Sequence, residues 1–136
     1  AKGRIVLTGR TDNFLHGRED LADTIRRLVA FAEAGADVLY APGLPDMEAI
    51  RAVVRAVAPK PVNVLIGPRS GIVPFAELLA AGVKRISLGG ALYRHAMGAA
   101  AAGARALKAG EASFLAGAEP GAAIKALIDA AARQSA

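Results

Sequence analysis

Short β-branched runs and longer runs of helical periodicity alternate along this chain. Arg4-Ile5-Val6-Leu7-Thr8 has the length and composition of a buried strand, with Gly9 as its end. A polar loop over 10–18 leads to a helix predicted from Glu19 to Ala34. Leu21, Ile25, Leu28, Val29 and Ala32 share one face of that helix. Glu19, Asp20 and Asp23 place negative charge at the positive end of its dipole, and Gly35 supplies a stop.

The same unit then repeats. Ala36–Ala41 reads as a second strand and Pro42-Gly43-Leu44-Pro45 as a turn. Asp46 is placed to cap a helix reaching Val57, with Met47, Ile50, Val53, Val54 and Val57 inward. Pro59 and Pro61 close that unit. Val62–Ile66 is a third strand, followed by Gly67-Pro68-Arg69-Ser70-Gly71. Pro74 suits the first position of a short helix through Ala81, and Gly82 stops it. Val83–Leu88 is a fourth strand, and Gly89-Gly90 opens an alanine-rich helix over Ala91–Ala109. A Gly-rich connection then leads to a last helix, Pro120–Gln134, with Ile124, Leu127 and Ile128 on one face.

Four strand–helix units with short connections predict an α/β fold with a parallel sheet and right-handed crossovers. Two architectures fit: a small doubly wound sheet, or half of an eight-stranded TIM-type (β/α)8 barrel, which runs to about 250 residues when whole. The first strand is as apolar as the others, whereas a doubly wound sheet protects its edges with short polar strands, so the half barrel fits better. On this reading 1–110 is the half barrel and 111–136 a C-terminal helical extension. The chain opens on Ala, and its two methionines are Met47 and Met97, so it reads as a piece of a longer chain or a processed product.

Composition narrows the chemistry. Of 136 residues 54% are hydrophobic, 33 of them alanine, and six are aromatic, so the core is built from small and aliphatic side chains. Cysteine is absent, which excludes disulfides, cysteine-ligated zinc and thiol catalysis. No apolar run approaches the roughly 20 residues of a membrane span, and a soluble cytoplasmic protein is expected. The net charge of +5 raises nucleic acid as a partner, but the basic residues are scattered and no aromatics interleave with them. Neither nucleic acid nor membrane is expected as a partner.

Ligands bind at the C-terminal ends of the strands in both architectures. Arg10 lies just past the first predicted strand, where its guanidinium could clamp a carboxylate or phosphate, or pair with Asp12 or Asp37. Asn63 interrupts the apolar run of the third strand. By the twofold period it points away from the helices that Val62 and Val64 face, toward a ligand or a neighbouring strand. The glycine-bearing loops Gly67–Gly71 and Leu88–Ala91 could bind phosphate or simply turn the chain. His16 is on a loop of the same end and His95 on a helix, and a surface position suits each better than catalysis. No Walker loop, G-x-G-x-x-G fingerprint, Ser-His-Asp arrangement or metal-ligand spacing is present.

Ile5-Val6-Leu7-Thr8-Gly9-Arg10-Thr11-Asp12 resembles the fifth strand of the isocitrate lyase / phosphoenolpyruvate mutase superfamily, with its Ala-Arg-Thr-Asp ending. The run from Arg26-Arg27 to Ala34-Gly35-Ala36-Asp37 is similar to that family's next helix and sixth strand. Pro61-Val62-Asn63-Val64-Leu65 resembles the seventh strand, and Gly82-Val83-Lys84-Arg85-Ile86-Ser87 the eighth. The likeness covers about residues 4–110, and Tyr40-Ala41-Pro42-Gly43-Leu44 brings it nearest to small bacterial phosphonomutase-like members.

The resemblance implies the C-terminal half of a magnesium-dependent barrel, strands five to eight, acting on a small 2-oxo acid or related carboxylate. Such enzymes make or break a C–C or P–C bond through an enolate-like oxyanion. It implies Arg10 as a substrate-binding arginine, Asn63 as a contact to the substrate carboxylate, and Gly89 near the loop that closes on the ligand. It places the metal ligands and the catalytic lysine upstream of residue 1, so no catalytic or metal residue is assigned in this chain. Pro42 stands where the C–C lyases carry a glutamate. The implied partners are the N-terminal half of the barrel and further copies in a homo-oligomer. Two other readings of the residues stay open: a phosphate-binding barrel half of another enzyme class, and a non-catalytic half barrel that self-associates through its open edges.

Overall fold

A computed structural model of the chain describes residues 5–67 and 73–134. Four short strands, β1 (Thr8–Arg10), β2 (Val38–Tyr40), β3 (Val62–Leu65) and β4 (Arg85–Ser87), form one parallel sheet in the order β1-β2-β3-β4. Helices α1 (Leu21–Glu33), α2 (Met47–Val57) and α3 (Phe75–Ala80) connect them, and α4 (Ala91–Lys108) and α5 (Gly121–Gln134) follow. Sequential order is what distinguishes a barrel segment from a doubly wound sheet, whose order reverses at a switch point. The half-barrel expectation is met.

The helices form where the pattern places them. Asp20 and Asp46 accept from the backbone N–H groups of Asp23 and Ala49, at 2.9 and 2.8 Å, and so cap α1 and α2. Ile50, Val53 and Val57 of α2 and Leu28 of α1 are buried against Leu39, Val62 and Val64 of the sheet. Pro74 stands one position earlier than expected, at the cap of α3 rather than inside its first turn.

The first strand departs from expectation. Ile5, Val6 and Leu7 are exposed, and the ladder begins at Thr8, paired with Val38. The reason lies across the sheet: the Leu7 N–H donates to the Asp37 carboxylate at 2.8 Å, so a side chain takes the place of the next backbone partner. Gly9 is therefore inside the strand, and Arg10 is its last residue rather than the first of the loop.

The described residues divide into two compact units, one ending at Leu92 and the other beginning at Tyr93. The first holds the sheet and α1–α3. In the second, Gly103 of α4 is buried and lets the Phe114 ring approach, since a Cβ there would meet Cδ2 at 3.1 Å. Ile124, Leu127 and Ile128 share one face of α5 and are exposed among the described residues. Among the described residues no helix is long and apolar enough to cross a membrane.

Candidate functional site

One observation orients the sheet. A Cβ on Gly9 would lie 2.8 Å from Phe31 Cβ of α1, so Gly9 faces the helices. Thr8 and Arg10 then face the opposite side, and the parallel register carries that side across the sheet. Arg10 pairs with Tyr40, Tyr40 with Asn63, and Leu65 with Ser87. Arg10, Tyr40 and Asn63 thus stand in one row on the face that becomes the interior of a closed barrel. Val62 and Val64 lie on the helix side as predicted.

The Arg10 guanidinium donates from Nε to Asp12 Oδ1 at 2.7 Å, and its Cζ lies 5.0 Å from the centre of the Tyr40 ring. The Asp12 hydrogen bond outweighs burial and raises the Arg10 pKa, so the group is a permanent cation. Asp12 rather than Asp37 is its partner. Among the described residues neither Nη group makes a hydrogen bond, and the side chain is 47% exposed. An ion pair this open contributes about 0–1 kcal/mol to folding, so its geometry matters more than its stability.

A buried relay fixes the loop that follows. Thr11 Oγ1 donates to Asn13 Oδ1 at 2.8 Å, and Asn13 Nδ2 donates to Asp23 Oδ2 at 2.8 Å. Asp23 also accepts from Arg27 Nε at 2.6 Å and from Arg26. Hydrogen bonds from Arg27 and Asn13 lower the Asp23 pKa to about 2. The relay ties the segment after Arg10 to α1. Phe14 and Leu15, in the 3-10 turn Asn13–His16, also lie against Gly43, whose φ of 87° belongs to the left-handed region.

Asn63 is 4% exposed. Its Nδ2 donates to Ser87 Oγ at 3.0 Å, while its Oδ1 is buried without a partner among the described residues. A buried amide oxygen left unpaired costs about 1–3 kcal/mol. Half a turn of the amide would let the Ser87 hydroxyl donate to Oδ1 and leave Nδ2 to donate to an anion. In either orientation one polar end of Asn63 is left without a partner among the described residues.

The remaining candidates lie apart from this row. Gly89 has φ 52° and takes part in the turn closed by Ala91 N–H donating to the Leu88 carbonyl at 3.0 Å. A Cβ on it would touch Leu65 Cδ1 at 3.4 Å, so it sits over the same face as Asn63 but makes no link to Arg10. Most of the Gly67–Gly71 loop lies outside the described residues. His16 and His95 are exposed. Among the described residues no three His, Cys, Asp or Glu side chains gather to hold a cation, and Asp12 is engaged by Arg10. These residues do not make a magnesium site. A small apolar recess between Ala41, Leu44, Ile50, Val64 and Leu78 has room for about one water and belongs to the packing of helices on sheet.

Sequence reasoning singled out Arg10, Asn63 and Gly89 but gave no role to Tyr40 or Ser87. For both the signal is long-range: Tyr40 stands in register with Arg10, and Ser87, in register with Leu65, accepts from Asn63 Nδ2, only once the sheet is assembled.

Comparison with known proteins gives consistent likenesses. The family model for phosphoenolpyruvate phosphomutase matches residues 1–108. An uncharacterized Mycobacterium tuberculosis protein is 34% identical over 108 residues, 79% of this chain and 40% of its own length. A candidate lyase/mutase of Burkholderia cenocepacia is 51% identical with TM-score 0.85, over 90% of this chain and 44% of that one. An oxaloacetate acetylhydrolase, solved with the inhibitor 3,3-difluorooxalacetate, is 28% identical with TM-score 0.74, over 92% of this chain and 43% of that one. The chain therefore spans less than half the length of these relatives.

Proposed function

Because this chain belongs to the phosphoenolpyruvate phosphomutase family, we propose that it contributes the carboxylate-binding half of a barrel enzyme acting on a small 2-oxo acid or related carboxylate. The reaction is cleavage or formation of a C–C or P–C bond. The observation that carries this reading is the row itself. A cation whose Nη groups make no hydrogen bond and a buried amide with an unpartnered polar end, both judged among the described residues, stand two strands apart on one face. Adjacent strands are about 4.8 Å apart, so the two Cα atoms are separated by about 10 Å, which leaves space between the side chains for a small acid.

In this reading the Arg10 guanidinium takes one carboxylate through two parallel N–H bonds. Asn63 holds a second oxygen of the same molecule. Fixed in this way, the substrate presents its carbonyl to groups of the other half barrel, and the positive charge of Arg10 favours the negative charge that builds up on the enolate-like oxygen. Magnesium, implied by the family likeness, would take its ligands outside this chain, and no step here is routed through it. The other half barrel also covers the open edges at β1 and β4. The coverage of only 40–44% of the relatives compared above supports such a partner.

The test is binding of oxaloacetate, pyruvate and oxalate to the intact protein that carries this chain, by calorimetry with magnesium present. Binding of at least one, lost on Arg10→Ala and weakened on Asn63→Val, is expected. Failure to bind any 2-oxo acid or dicarboxylate, or binding indifferent to Arg10→Ala, would overturn the reading.

A further inference from the structure

We propose that Tyr40 is a positioning residue for Arg10, holding its guanidinium in the one plane that leaves the Nη1–Nη2 edge open to a planar carboxylate. The proposal rests on the reading of Arg10 as the carboxylate-binding cation and adds how that cation is aimed.

A free arginine side chain is long and mobile, and its guanidinium can meet an anion along either of two edges, Nε–Nη or Nη1–Nη2. Two contacts remove that freedom. Asp12 occupies Nε at 2.7 Å and so blocks the first edge. The Tyr40 ring lies under Cζ at 5.0 Å, within the distance at which a ring face attracts a cation, and so restrains where the guanidinium can go. The backbone supports the stack. Arg10 and Tyr40 are directly paired across β1 and β2, and the next residue, Thr11, donates its N–H to the Tyr40 carbonyl at 3.0 Å. The edge that remains is the one whose two parallel N–H bonds match a carboxylate. Tyr40 belongs to the same row as Asn63, so the open edge lies on the face where the buried amide waits. The contact uses the ring face rather than the hydroxyl, so Phe should replace Tyr40 and an aliphatic residue should not.

Oxalate binding to the intact protein, with magnesium present, is measured for wild type, Tyr40→Phe, Tyr40→Leu, Arg10→Ala and the double variant Arg10→Ala/Tyr40→Leu. Tyr40→Phe should bind within about twofold of wild type, and Tyr40→Leu about 3- to 30-fold more weakly, the span of a cation–ring contact. In the Arg10→Ala background Tyr40→Leu should cause no further loss. Wild-type affinity in Tyr40→Leu alongside lost binding in Arg10→Ala would overturn the role of Tyr40 and leave the carboxylate reading standing. Equal losses in Tyr40→Phe and Tyr40→Leu would also overturn it. Binding unchanged in Arg10→Ala would overturn the underlying reading itself. Should Tyr40→Leu fail to fold, the wild-type protein still decides. Its Arg10 Hδ resonances should be shifted upfield by the ring, and ordinary arginine positions would refute the stack.

Discussion

Asn63 and Ser87 hydrogen-bond across β3 and β4, Nδ2 to Oγ at 3.0 Å, and this bond is what Asn63 has in exchange for burial. Its Oδ1 has no partner among the described residues. Removing the hydroxyl with Ser87→Ala should therefore orphan both ends of the amide and cost about 1–3 kcal/mol of stability. Adding Asn63→Val should recover most of that loss, because no buried polar group then remains at the pair. Urea denaturation of the two variants checks this. A double variant no more stable than Ser87→Ala would show that the amide is satisfied in another way. A recovered fold with lost carboxylate binding would show that Asn63 is kept for its ligand.

Gly9 is constrained by contact, not by backbone angle. An added methyl would stand 2.8 Å from Phe31 Cβ and 3.1 Å from Ala36 Cβ, atoms fixed directly to their backbones that no rotamer change can move. Gly9→Ala should force β1 away from α1 and cost about 1–3 kcal/mol. Because Arg10 is the next residue, oxalate binding should weaken together with stability. Thermal unfolding and calorimetry on one sample test both, and an unchanged melting temperature would mean that α1 can retreat freely.

Asp46 caps α2 through a 2.8 Å bond from the Ala49 N–H. Asp46→Ala should destabilise the chain by about 1 kcal/mol, within a range of 0.5–2. Asp46→Asn should recover most of the loss, since the amide oxygen can accept the same bond. Chemical denaturation of the two variants distinguishes a cap from a merely charged surface position.

These three sites mark how far the sequence could be read. The cap at Asp46 and the inward face of α2 were legible because both are local, set within four residues by helical spacing. So was the side of β3 on which Asn63 stands, since alternation needs no partner. The beginning of β1 was not legible. It depends on Asp37, thirty residues away, taking the Leu7 N–H. Tyr40 and Ser87 escaped for the same reason: the bond from Asn63 to Ser87 spans 24 positions, and no local pattern reports it. Arg10 was found because a cation at the end of an apolar strand stands out locally. What aims it was not, because Tyr40 reads as an ordinary strand aromatic until the register is known.

Asp23 gives the prediction that depends on pH. Its carboxylate ends the relay Thr11–Asn13–Asp23 and is held by Arg27 and Arg26. These hydrogen bonds, Arg27 first and Asn13 second, bring its pKa from 3.8 to about 2. A carboxylate whose pKa is depressed by folding stabilises the folded chain where it is ionised in both states, that is, above 3.8. As the pH falls below that value the unfolded chain takes up the proton first, and the stabilisation is lost progressively until the folded group titrates near 2. Asp23→Ala should therefore lie below wild type in stability at neutral pH, with the gap narrowing between about pH 4 and 2. The same variant frees Asn13 Nδ2 and with it the loop after Arg10, so carboxylate binding at neutral pH should weaken while Arg10 itself is intact. Denaturant titrations of both proteins from pH 7 to about pH 2 supply the check. A gap that stays constant across that range would mean that Asp23 acts through packing and not through its charge.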